Sequence, residues 1–365
     1  MGKYRVCVYT IAKNEEKFVS RFMESAMEAD CVVVLDTGST DRTAALLQQA
    51  GATVETEEIQ PWRFDTARNH ALSLVPEDMD ICVSIDLDEC FHPGWRAKLE
   101  AAWQDDTDRA SYRYTWSFNA DGSEGHVFFA DKIHARHGYC WVNPVHEILR
   151  PTDGRQEHFV RAEGVQLDHR SDPSKSRGQY LPLLELSVRE HPHDDRSMHY
   201  LGREYMFHGE YAKAIETLTK HLAMPEAVWA DERAASMRFI ARCLRAQGQI
   251  QEAADWFLRA IAEAPHLREA YVELASLSYE EKNWTSLLAA AETALSIENR
   301  PQTYINEAFA WGSLPYDLAS IAWYHVGNRE MALKRARQAL ALSFGDDIQR
   351  IEHNIVLMEK VSDPN

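Results

Sequence analysis

Short apolar runs alternate with amphipathic stretches over the first 170 residues of the chain. Tyr4-Arg5-Val6-Cys7-Val8-Tyr9 predicts a strand, and a helix follows over about 15–29. Cys31-Val32-Val33-Val34-Leu35 is apolar throughout, the pattern of a strand covered on both faces of a parallel sheet. Asp36-Thr37-Gly38-Ser39-Thr40-Asp41 then predicts a turn into a helix from about 41 to 50. Thr53-Val54-Glu55-Thr56 is a short third strand, and a helix near 65–75 leads to the fourth, Ile81-Cys82-Val83-Ser84-Ile85. This βαβα order implies a doubly wound sheet with right-handed crossovers. From 111 to 170 an aromatic-rich alternation predicts antiparallel strands added at one edge.

After a polar loop at 170–178 the pattern is helical to the end, and it repeats. Gly202, Ala241, Ala275 and Ser320 each begin a similar phrase. A larger residue follows three positions later (Tyr205, Leu244, Ser278, Trp323) and a turn residue seven later (Gly209, Gly248, Lys282, Gly327). The offsets between phrases are 39, 34 and 45 residues. The middle one equals the tetratricopeptide period, and the outer two imply insertions near 221–230 and 299–315. A generic helical bundle is the alternative. The expected organisation is an α/β domain over 1–173, a loop and linking helix over 174–195, and tetratricopeptide-like repeats over 196–365.

Composition narrows the function classes. The 365 residues suit two domains, and a formal charge of −18 disfavours duplex DNA and anionic lipid as partners. Six cysteines fall singly with no C-x-x-C pair, which reads as reduced thiols, and no secretory signal is evident at the N-terminus. A cytoplasmic location is therefore expected, with homo-oligomerisation left open.

In a doubly wound sheet, chemistry gathers at the C-terminal ends of the parallel strands. Three such ends are polar here: Thr10 to Glu15, Asp36 to Thr43, and Asp86-Leu87-Asp88-Glu89. The chain has three D-x-D triplets, Asp78/Asp80, Asp86/Asp88 and Asp106/Asp108, but only Asp86/Asp88 directly follows an apolar strand. Hard carboxylate oxygens placed there can hold a divalent cation against a diphosphate. Alternating side chains at a strand end would put Asp86 and Asp88 on one side of the chain.

These motifs bring the N-terminal half, about 1–180, to a resemblance. Ile11-Ala12-Lys13-Asn14-Glu15-Glu16, Asp36 to Thr43, Phe64-Asp65-Thr66-Ala67-Arg68-Asn69 and Asp86-Leu87-Asp88-Glu89 resemble, in order, those of family 2 glycosyltransferases of the GT-A fold. Trp141-Val142-Asn143-Pro144-Val145-His146-Glu147 resembles the W-x-x-x-V-H-E phrase of the branch with lipopolysaccharide-core transferases and bacteriocin S-glycosyltransferases. The repeat-bearing tail is similar to that of the S-glycosyltransferases.

The resemblance implies a metal-dependent inverting glycosyltransferase using a nucleotide-diphosphate sugar, most readily a UDP-sugar, with Mn²⁺ or Mg²⁺. By the resemblance, Thr10 and Glu15 line the nucleoside pocket, Asp36 hydrogen-bonds the base or ribose, Arg68 reaches base or phosphates, Asp86 faces the donor ribose or sugar, and Leu87 belongs to the same nucleotide-sugar site. Asp88 and His169 are the implied metal ligands, Glu147 the base, with His146 as the alternative base. Lys175 and Arg177 are expected to close over the diphosphate. Thr37 stands where the family often has a second acid. The expected acceptor is a peptide or protein side chain; a lipopolysaccharide, lipid-linked or modified-DNA acceptor, and a catalytically silent repeat scaffold, are the alternatives.

Overall fold

The computed structural model describes residues 2–119, 121–172 and 178–360. The chain divides into two compact units, Met1–Ser187 and Val188–Asn365.

The first unit opens with β1 (Val6–Ala12), α1 (Val19–Ala26), β2 (Cys31–Asp36), α2 (Thr43–Gln49) and β3 (Thr53–Thr56). Next come α3 (Phe64–Ser73), β4 (Ile81–Ser84), β5 (Glu89–Phe91), α4 (Trp95–Ala102) and β6 (Arg109–Thr115). β7 (Val127–Ala135), β8 (Tyr139–Val142), β9 (Ile148–Pro151) and β10 (Phe159–His169) complete the unit's strands, and α5 (Tyr180–Glu190) runs through the boundary at Ser187. The main sheet runs β3-β2-β1-β4-β7-β6-β10-β5, parallel through its first four strands.

The near-continuous apolar runs have a direct cause. Val6, Val8, Val32, Val34, Ile81 and Val83 face a core with Phe22 of α1, Leu47 of α2 and Trp95 and Leu99 of α4. Their neighbours Cys7, Tyr9, Val33, Leu35 and Cys82 face the opposite core, built with Ala67, Ala71 and Leu72 of α3 and with Tyr139 and Trp141 of β8. Both faces are covered, so polar alternation has no place.

The edge beyond β4 departs from expectation. β7 is antiparallel to β4 and to β6, but β10 returns parallel to β6. β8 and β9 leave the sheet as a hairpin of their own. Aromatic alternation reports half-buried strands; it carries no information on strand direction. The fourth strand also stops at Ser84, one residue early, and Glu89 N donates to Asp86 O at 3.0 Å across a turn.

The second unit is helical. α6 (Asp195–Phe207) pairs with α7 (Tyr211–Ala223), α8 (Ala230–Ala246) with α9 (Ile250–Glu263), and α10 (Arg268–Glu280) with α11 (Trp284–Ser296). A 3-10 turn at Ala308–Ala310 precedes α12 (Leu314–His325), α13 (Arg329–Ala341) and α14 (Asp346–Lys360). The four repeat residues Gly202, Ala241, Ala275 and Ser320 are all buried, on α6, α8, α10 and α12. A Cβ on Gly202 would sit 2.5 Å from Leu218 of α7, so the glycine sets how closely the first pair packs. The four turn residues share one conformation, with φ of 73° at Gly209, 77° at Gly248, 87° at Gly327 and 55° at Lys282. That left-handed geometry is the signature of a helix C-terminus turning into its partner.

Candidate active site

Two loops meet at the ends of β1 and β2 and lock one another. Asn14, at φ 55°, donates its N–H to Ser39 Oγ at 2.9 Å, while its Oδ1 accepts from Thr40 N at 2.7 Å. Glu15 N donates to Thr43 Oγ1 at 2.7 Å. Asp36, buried at the end of β2, accepts from Ser39 N at 3.0 Å and from the Ser39 hydroxyl. Thr10 is buried in β1. The first two motifs are thus the two halves of one polar rim.

The third motif starts α3. Arg63 and Asp65 pair with each other through Arg63 Nη2 at 2.8 Å, which leaves Arg68, only 4% exposed, to other partners. Its Nη2 donates to Asp86 Oδ1 at 2.7 Å, its Nε to Glu147 Oε1, and its Nη1 approaches Ser84 Oγ at 3.4 Å. The guanidinium also lies 5.2 Å from the Trp141 ring. One planar cation therefore joins three separate stretches of sequence, as its fork of donors allows.

Asn69, one residue on, fixes the hairpin that carries Glu147. Its side-chain amide donates to Trp141 O and accepts from Trp141 N, both at 2.8 Å. Phe64 N donates to Pro144 O at 3.0 Å. The backbone of the intervening loop is left-handed at Asn143 and His146, with φ of 78° and 51°. His146 packs against Tyr180 of α5, with ring centroids 5.7 Å apart.

The turn after β4 separates its two acids. Asp86 faces Arg68 and Lys132 of β7, whose Nζ lies 3.8 Å away. Asp88 faces the end of β10, where its Oδ2 lies 3.5 Å from His169 Nε2. Simple strand alternation does not hold, because the chain is already turning. Glu89 staples the turn: it accepts from Asp86 N at 2.8 Å and from the Tyr114 hydroxyl at 2.5 Å, and Lys132 stands 3.9 Å off. Leu87 is wholly buried in the core, so its side chain offers a donor nothing. Lys175 and Arg177 lie outside the described residues.

Electrostatics follow from this crowding. Burial opposes ionisation of Asp86, but the Arg68 and Lys132 cations outweigh it and hold the carboxyl well below the usual range. Burial likewise opposes the Arg68 charge, and Asp86 and Glu147 more than restore it. Burial pushes the Glu89 carboxyl up. His169 is raised: burial works against its charge, and Asp88 reverses the balance. Its Nδ1 lies 3.0 Å from Trp116 O, a contact in which only the nitrogen can donate, so Nε2 is presented to Asp88. In this structure the Asp88 carboxylate and the His169 imidazole, 3.5 Å apart, form an ion pair. A carboxylate oxygen and an imidazole nitrogen are both donor types found around divalent cations.

With this geometry in hand, the chain can be set against known proteins. Residues 7–149 match the family model described as Glycosyl transferase family 2. This segment is a family 2 glycosyltransferase domain. No curated protein matches the chain. Among solved structures, a crystal structure of MamA is 20% identical, covering 48% of this chain and 89% of its own, with a TM-score of 0.36. A Podosopora anserina kinesin light chain of TPR-like repeats gives 20%, 47%, 87% and 0.36 for the same quantities. The type IV pilus biogenesis factor PilW gives 17%, 48%, 77% and 0.39. No helix among the described residues of the chain is long and apolar enough to cross a membrane.

Sequence reasoning missed Lys132 and Tyr114, which belong to no motif, and gave no role to Asn69, which closes the third one. It also missed a relay beneath the site. Trp141 Nε1 donates to Tyr9 OH at 2.8 Å, Tyr9 OH meets His134 Nε2 at 2.9 Å, and His134 Nδ1 meets Ala135 O at 2.7 Å. Burial, above all, holds the His134 imidazole down at about 3. Its unfolded value lies near 6.5, so its contribution to stability is complete above about pH 6.5 and is lost as pH falls toward 3. Urea unfolding should show up to about 1.4 kcal/mol lost per pH unit across that window. His134→Gln should flatten the slope; an unaltered slope would assign the titration elsewhere.

Proposed function

We propose that the N-terminal unit transfers a sugar, with inversion, from a nucleotide-diphosphate sugar to a peptide or protein side chain. The observation that carries this reading is the Arg68 bridge between Asp86 and Glu147, beside the Asp88–His169 pair at the exit of β4. The rim built by Thr10, Glu15 and Asp36 would take the nucleoside, with UDP the expected base. Asp86, aligned by Arg68, would face the ribose or sugar.

Asp88 and His169 would hold Mn²⁺ or Mg²⁺, which when bound neutralises charge on the departing diphosphate. Glu147 would remove the acceptor proton as the acceptor attacks the anomeric carbon. Arg68 engages its Oε1, which orients Oε2 for that proton. Acceptor selection would fall to the helical repeats, an architecture whose surfaces commonly hold extended segments. The −18 charge argues against the lipid-linked and modified-DNA acceptors.

The test is a thermal-shift panel of UDP-, GDP- and CMP-sugars with Mn²⁺ or Mg²⁺. One donor class should raise Tm only when the metal is present, and Asp88→Ala should remove the metal-dependent part. A shift that survives Asp88→Ala would strip Asp88 of its role, and no shift with any donor would favour a silent scaffold.

A further inference from the structure

The helical unit contains a group of metal-type donors of its own. Asp195 at the start of α6, His221 near the end of α7 and Glu232 in the first turn of α8 bring their ligand atoms within 4.8 Å of one another. His221 is fully buried and Glu232 is 3% exposed, whereas Asp195 is partly open. His221 Nε2 makes no hydrogen bond, yet it lies 3.4 Å from Glu232 Oε1. That contact is poorly aligned for a hydrogen bond. It equals the separation of about 3.4 Å between neighbouring atoms around a tetrahedral ion with bonds near 2.1 Å.

The outer contacts are already those of a ligand set. The Tyr304 hydroxyl donates to Glu232 Oε2, which turns Oε1 toward His221. Ser236 Oγ sits 3.0 Å from His221 Nδ1 and 2.7 Å from His199 Nδ1. A serine has one proton, so it can donate to one imidazole while accepting from the other. When His221 donates from Nδ1 and Ser236 donates to His199, the Nε2 lone pair of His221 points at the two carboxylates. Metal-bound histidines are oriented by this kind of second contact.

We propose that Asp195, His221 and Glu232 bind one divalent transition cation, of which zinc is the best match, and that it ties the first three helices of the repeat unit together. The ion would enter from the partly open Asp195 side. An imidazole with two carboxylates suits zinc-like ions, and a site shared by three helices exists only in the folded state, so binding stabilises that state. Without an ion, two carboxylates and one imidazole share a pocket in which one His221 ring cannot serve both acids with well-aligned hydrogen bonds.

The full-length protein carrying Asp88→Asn and His169→Gln, stripped with chelator, isolates this site from the one proposed for the transferase domain. Zn²⁺ titrated into it should bind as one tight equivalent and raise Tm by roughly 5–10 °C at about a hundredfold excess over Kd. Co²⁺ should give the visible ligand-field absorption of a four-coordinate site. Adding His221→Gln or Asp195→Asn should abolish the tight equivalent and the cobalt spectrum. Asp195→Asn, at a partly exposed helix start, decides the matter should His221→Gln fail to fold. Absence of a tight equivalent, its persistence in Asp195→Asn, or its loss on His70→Gln at the exposed Glu55/Glu57/His70 group would overturn the proposal.

Discussion

Glu147→Gln is expected to leave the transferase domain folded and competent for donor binding while transfer falls by about 10²–10⁴-fold, the usual contribution of a positioned base. The substitution is nearly isosteric. Arg68 Nε now donates to Glu147 Oε1, and an amide oxygen can accept the same bond, so the link between α3 and the β8–β9 loop survives. What disappears is the ability to hold a proton. Donor affinity by calorimetry and single-turnover transfer separate the two effects. Unchanged affinity with lost transfer supports Glu147 as base. Retained transfer would move the role to His146, whose own His146→Gln variant then becomes the decisive one. Loss of donor affinity as well would instead make Glu147 a positioning residue for Arg68.

Much of this arrangement was legible in the chain because it rests on short-range rules. The β1 to β4 order follows from apolar runs punctuated by polar turns, and the repeat phrases landed on equivalent helices at buried positions, where Gly202 for one must be small. The turn residues were readable even at Lys282, where no glycine marks the left-handed position. Long-range facts were not legible. No spacing rule says that Arg68 prefers residues 86 and 147 to Asp65 three positions away; that choice is made when Arg63 claims Asp65. Lys132 and Tyr114 reach the Asp86 turn from strands whose direction alternation cannot reveal. Asp195, His221 and Glu232 are spread over three helices, and only the packing of the first repeat makes them neighbours. Motifs name the chemistry, and tertiary pairing decides which atoms share it.

Arg68→Met should cost the N-terminal unit about 3–5 kcal/mol at neutral pH, because it strands two carboxylates that one cation had satisfied. Lys132, 3.8 Å from Asp86, covers part of that deficit and only a smaller, longer-range part of the Glu147 one. Arg68→Lys should fare little better in activity, since a single ammonium cannot span both acids in a fixed geometry. The pH dependence gives the sharper signature. In the native protein the depressed Asp86 contributes stability that is present above the unfolded carboxylate value near 3.9 and is lost as pH falls through the folded one. Without Arg68 that depression is relieved, since only Lys132 and His169 then work against desolvation of the half-buried carboxyl, and the acid-side loss of stability shrinks. Urea midpoints compared between about pH 5 and about pH 2.5 should therefore fall less steeply toward acid in Arg68→Met than in the native protein, as far as this group is concerned. Adding Asp86→Asn and Glu147→Gln to Arg68→Met should recover most of the lost stability while transfer stays abolished. No recovery of stability, or a variant whose pH slope matches the native one, would mean that Arg68 supports the fold through its packing against Trp141 rather than by joining the two acids.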